Sequence, residues 1–150
     1  MIKGRNHEIF NAKSQRSRDA ELLEKQENIV SRSVVDAAVE VHRSLGGPGL
    51  LESVYEEALG WELAARGHLI ERQIAVPIAY KGHKLACPLK LDMLVDRLVI
   101  VEVKATVLYN KIYEAQALTY LRLMQLKLAL VINFGELRVG NAVHRVVNGL

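Results

Sequence analysis

Apolar residues recur at helical spacing from Ile29 onward, at Val30, Val34, Ala37, Val41 and Leu45, until Gly46-Gly47-Pro48 breaks the run. A second helical pattern spans residues 49–66, with Leu50, Val54, Ala58, Leu59, Trp61 and Leu63 as its apolar side. Pro48 is suited to the start of that helix, and Gly67 to its end. Residues 69–80 then read as a strand, in which Pro77 marks an edge position or a break. Lys81-Gly82 turns the chain into a returning strand.

Residues 91–104 hold two apolar runs around an Asp96-Arg97 break, the pattern of a β-hairpin. Helical period returns over residues 110–126, with Ile112, Ala115, Leu118, Leu121 and Leu123 as packing positions. Residues 128–134 form a continuous apolar run too short for most helices, hence a central strand. Gly135-Glu136 turns the chain, and residues 137–139 and 143–146 supply one or two short strands. This order predicts an α/β fold: a mixed β-sheet flanked by helices.

The hairpin carries the candidate chemistry. In its second run Val99, Val101 and Val103 share one face, so Ile100, Glu102 and Lys104 share the other. Burying a charge without a partner is expensive, so a carboxylate and an amine on an otherwise apolar strand need a reason. Register decides whether Asp92 joins them. A turn of residues 96–98 sets Asp92 opposite Glu102, whereas a two-residue turn sends it to the other face. The tightest turns favour glycine and this one has none, so an odd-length loop or a bulge is expected. Two carboxylates beside a lysine suit a hard divalent cation, while the bland reading is a self-neutralising Glu–Lys pair. Glu52 and Tyr55 share a face of the second helix, and Gln116 and Tyr120 a face of the third. Taken alone, Glu52 is a helix-start charge in water and Gln116 a solvated side chain.

Composition narrows the class. A chain of 150 residues is one domain with room for a core, half of it hydrophobic and a quarter charged. No run is long enough to span a bilayer, and the N-terminal stretch lacks a signal-peptide core. Cys87 stands alone, which excludes an internal disulfide, argues against a thiolate zinc site and fits a cytoplasmic location. Residues 1–18 set five cations against Glu8, a balance of +4 out of the net +3, leaving the remainder near −1. Residues 1–28 therefore read as a basic, poorly ordered leader and 29–150 as the folded domain.

Three spaced motifs carry a resemblance. Asp92 followed by Glu102-Val103-Lys104 resembles the catalytic motif of the PD-(D/E)XK nuclease superfamily. Gly49-Leu50-Leu51-Glu52-Ser53-Val54-Tyr55 matches the signature of the GxxExxY protein family, a branch of that superfamily. Gln116-Ala117-Leu118-Thr119-Tyr120 resembles the Gln-xxx-Tyr helix motif of RecB-type nucleases. The resemblance implies a restriction-endonuclease-like core and Mg²⁺- or Mn²⁺-dependent hydrolysis of nucleic acid, DNA in preference to RNA. It implies Asp92, Glu102, Glu52 and the Val103 carbonyl as metal ligands, Lys104 and Gln116 as further catalytic groups, and Tyr55 and Tyr120 as supports. Leu91 stands where many members have proline. Nucleases of this core often pair, so a homodimer is compatible, and no membrane partner is implied. The rival reading is a non-catalytic module on the same fold that binds nucleic acid or protein.

Overall fold

The structure is a computed structural model and describes residues 5–150. Helix α1 (Arg5–Ser44) has no glycine or proline before Gly46, so nothing in its backbone interrupts it. It begins at Arg5 instead of Ile29, because this polar stretch is rich in Glu, Lys, Gln, Arg, Ala and Leu, all strong helix formers. Residues 1–4 of the basic leader lie outside the described residues. Val30, Val34, Ala37, Ala38 and Val41 bury its C-terminal half, while Arg145 reaches Asn28 Oδ1 (2.8 Å) and Ser31 Oγ (3.3 Å). Gly46, Gly47 and Gly49 all adopt positive φ, which turns the chain into α2 (Glu52–Ala65).

The main sheet contains β1 (Ile70–Val76), β4 (Leu89–Val95), β5 (Val99–Lys104), β6 (Leu128–Asn133) and β7 (Val143–Val147), in the order β1-β4-β5-β6-β7. Among the described residues only β5 and β6 pair in parallel, joined by α3 (Ile112–Met124). Helices α1 and α2 cover one face, where Val99, Val101 and Val103 meet Leu59, Leu63 and Phe134. Helix α3 covers the other through Ala117, Tyr120 and Leu121, against Ile100, Ala129 and Val131. Pro77 ends β1 at an edge of the sheet, and β2 (Ala79–Tyr80) with β3 (His83–Lys84) forms a separate small hairpin. The fold is the mixed sheet flanked by helices that the hydrophobic pattern predicts.

Several packing expectations are corrected. Ile112 and Leu123 are exposed, because α3 turns the Ala117–Tyr120–Leu121 side inward. Val54 and Trp61 line a surface groove of about 540 Å³ between α1 and α2 instead of the core. Residues 137–139 form no strand: Leu137 is exposed and a 3-10 turn (Val139–Asn141) leads into β7.

The β4–β5 turn is Asp96-Arg97-Leu98, with Val95 opposite Val99, as the absence of glycine predicts. Asp96 (φ 53°) and Arg97 (φ 58°) both sit in the left-handed region, which side chains disfavour. The Asp96 carboxylate holds the turn: Oδ1 accepts the Leu69 amide at 2.8 Å and Oδ2 lies 2.6 Å from His68 Nδ1. His68 Nε2 is in turn 2.7 Å from Ser33 Oγ on α1. This Ser–His–Asp string has triad distances but not triad function, since Ser33 lies inside a helix whose amides are already engaged, leaving no oxyanion donors. It works as a lock between α1, the exit of α2 and the hairpin. Asp96→Ala is expected to lose about 2–3 kcal/mol, from two hydrogen bonds and an alanine forced to positive φ. The midpoint of urea unfolding measures this; an unchanged midpoint would remove the lock.

Candidate active site

The register sets Asp92 across from Glu102, and there the sheet opens. Backbone pairing of β4 with β5 runs from Val95–Val99 to Met93–Val101 and stops before that pair. On the other side of β4, the β1 ladder is interrupted at one position, Gln73 opposite Asp92. Gln73 has φ 53°, and both strands change face at this level. Ile70, Met93 and Val95 pack toward α1 and α2, whereas Ile74, Val76, Leu89 and Leu91 pack toward α3.

The carboxylates take over the broken ladder. Val103 N–H donates to Asp92 Oδ2 at 2.8 Å, and Asp92 N–H donates to Glu102 Oε1 at 3.1 Å. Each acid is thereby pinned through one oxygen, and the other oxygen takes part in no hydrogen bond among the described residues.

Burial and mutual repulsion dominate their electrostatics. Glu102 is only 4% exposed, and its carboxyl is pushed up to about 8, first by burial and then by the Asp92 charge. Asp92 is also raised, chiefly by burial, then by Glu56 and Glu52; the Val103 amide and Lys104 oppose this. Lys104 ends β5 with Nζ 4.9 Å from the Tyr113 ring centroid, and its charge lowers both acids.

Gln116 and Tyr120 approach from α3. Gln116 Nε2 donates to the Tyr120 hydroxyl at 3.1 Å, and that hydroxyl donates to Lys90 O at 3.1 Å. Burial and the charges of Glu102 and Asp92 raise the Tyr120 phenol, which places this pair beside the acids. Tyr120 is fully buried. Tyr55 is also internal: it stacks on Phe134 (centroids 4.7 Å apart), and its hydroxyl donates to Gly47 O at 2.6 Å while accepting the Leu50 amide. It shapes the loop that delivers Glu52.

Glu52 opens α2 and is exposed. Its charge reaches Asp92 and Glu102, yet among the described residues no three His, Cys, Asp or Glu side chains gather to hold a metal. The geometry thus brings Asp92 and Glu102 together, keeps Lys104, Gln116 and Glu52 at the margin, and uses Val103 through its amide. A two-carboxylate set suits Mg²⁺, which keeps several waters and takes one or two protein carboxylates.

One residue escaped sequence reasoning. Glu56, buried one turn after Glu52, accepts hydrogen bonds from Gln73 Nε2 (2.8 and 2.9 Å) and Arg72 Nε (3.2 Å). It holds the Gln73 kink that frees Asp92 from the ladder. Its signal was a second acid four positions after Glu52, on the same helix face.

A family model described as the PD-(D/E)XK nuclease superfamily matches residues 28–146. No curated protein and no solved structure matches the chain.

Proposed function

The chain belongs to the PD-(D/E)XK nuclease superfamily, and from that premise we propose that it hydrolyses phosphodiester bonds of DNA with Mg²⁺ or Mn²⁺. Members of the superfamily are in general nucleases and typically use divalent metals. The Gly49-to-Tyr55 signature favours the GxxExxY branch. The observation that carries the reading is the pinned Asp92–Glu102 pair, each acid with an oxygen to spare.

Asp92 and Glu102 would hold the cation, helped by the Val103 carbonyl and, through water, by Glu52. A cation held by these residues would supply a water of lowered pKa and positive charge against the phosphate. Lys104 orients the attacking water or donates to the phosphate oxygens, where a preformed donor is most effective. Gln116 keeps its amide oxygen available for a water, while Tyr120 fixes its amide nitrogen. Tyr55 positions Glu52 through the loop. A decayed, binding-only module has no need to keep two acids and a lysine together at the opening of a sheet.

The direct test is a cleavage panel of single-stranded, duplex and forked DNA, with RNA counterparts, in Mg²⁺, Mn²⁺ or EDTA. Cleavage of DNA with either metal and none in EDTA is expected. Cleavage that persists undiminished in EDTA, or RNA cut in place of DNA, would overturn the corresponding part of the proposal.

A further inference from the structure

Two loops run directly into the candidate site, and both hold aliphatic side chains out in water. Leu50 and Leu51 precede Glu52 and are 42% and 73% exposed; Val107 and Leu108 follow Lys104 by a few residues and are 88% and 82% exposed. The loops face each other across a crevice of about 410 Å³ lined by Pro48, Gly49, Leu50, Ala105, Val107 and Gly135. Scattered surface aliphatics are ordinary, but four on two facing loops are a patch.

Both loops are braced. The Tyr55 hydroxyl bridges Gly47 O and Leu50 N–H on one side. On the other, fully buried Asn133 accepts the Thr106 amide at 3.0 Å and donates to Thr106 O at 2.9 Å. Thr106 Oγ1 donates to Leu108 O at 3.1 Å. Gly135 closes this clamp, since a Cβ there would overlap the Thr106 backbone. The aliphatic tips are therefore held by braced backbone.

A loop that only followed a sugar–phosphate backbone would carry cations and hydroxyls at its tip. Aliphatic tips instead match the faces of nucleobases, between which such side chains act as wedges that unstack a step. We infer that Leu50, Leu51, Val107 and Leu108 form a two-sided wedge that parts the bases beside the bond being cut. The preferred substrate is then DNA whose strands already separate at that point, a fork or a flap, over continuous duplex. This rests on the nuclease reading for its location.

The test uses the full chain with Val107→Ser/Leu108→Ser, and Leu51→Ser as a second variant on the other loop. Substrates are a fork carrying 2-aminopurine at the junction, the matching single strand and a continuous duplex, with Mn²⁺. The native protein is expected to cut the fork at least about tenfold faster than the duplex, a preference the serine variants lose while single-strand cleavage changes less than about twofold. In a Lys104→Ala background, 2-aminopurine fluorescence rises on binding only when the native loops are present. An unchanged fork preference with unchanged fluorescence overturns the wedge, and so does equal loss on fork and single strand, which points to a protein partner for the loops. No cleavage of any substrate, with a fluorescence rise that still depends on the loops, sinks the nuclease reading and leaves the wedge standing.

Discussion

Lys104→Ala is expected to leave the fold intact and slow DNA cleavage by about 10²- to 10³-fold, as when a preformed donor to developing charge is removed. The position tolerates truncation because its backbone does the structural work. Lys104 O accepts the Phe134 amide at 2.7 Å, and β5 pairs there with Asn133 of β6. The side chain is only partly buried and rests against the Tyr113 ring, a contact worth about 1 kcal/mol. Asp92→Asn and Glu102→Gln should also stop cleavage, but by a different route, since each weakens the grip on the cation. Single-turnover rates beside Mn²⁺ titration calorimetry separate the two: Lys104→Ala keeps metal binding, and the carboxamides lose most of it. A Lys104→Ala protein cutting at the native rate would remove the lysine from the chemistry.

How much of this was legible beforehand follows from where the period of the chain is strict. In β5 the alternation of Val99, Val101 and Val103 against Ile100, Glu102 and Lys104 is a period of two, and it alone sets the faces. The missing glycine in the turn then fixes Asp92 opposite Glu102. Pro77 announces the break in β1 for the same local reason. What no local pattern carries is the interruption at Gln73. A left-handed residue inside a strand leaves no mark in hydropathy, and it depends on a long-range bond to Glu56 from another element. Without that kink Asp92 would be one more rung of the β1–β4 ladder. The inward side of α3 was misjudged for a related reason. Ile112 and Leu123 satisfy a helical period, but the position of Tyr120 against Lys90 sets the rotation of the helix. Similarly, α1 extends through a polar stretch because propensity, not burial, decides an uninterrupted helix.

Raising the pH from about 5.5 to 8 is expected to destabilise the metal-free protein, and Mn²⁺ should reverse the trend. Glu102 titrates near 8 in the folded chain, well above the ordinary carboxylate value of 4.5, because it is buried beside Asp92. Between those values the folded state keeps a proton that the unfolded chain has already released. This contribution is fully present below 4.5, is already falling at pH 5.5, and is lost as the pH climbs toward 8. Asp92, also raised by burial, adds in the same direction. A divalent cation held by this pair would need both acids ionised, so its binding would be coupled to loss of the proton that stabilises the metal-free state. Its benefit must then grow with pH. At a hundredfold excess over Kd, Mn²⁺ should raise Tm by about 5–10 °C at pH 8 and by much less at pH 5.5. Glu102→Gln keeps the buried group neutral at every pH, so its apo Tm should be flatter and its Mn²⁺ response largely gone. Thermal melts across this range, with and without Mn²⁺, decide the matter. An apo protein that grows more stable toward pH 8, or a Glu102→Gln protein that Mn²⁺ stabilises as well as the native one, would mean that this pair of acids does not hold the metal.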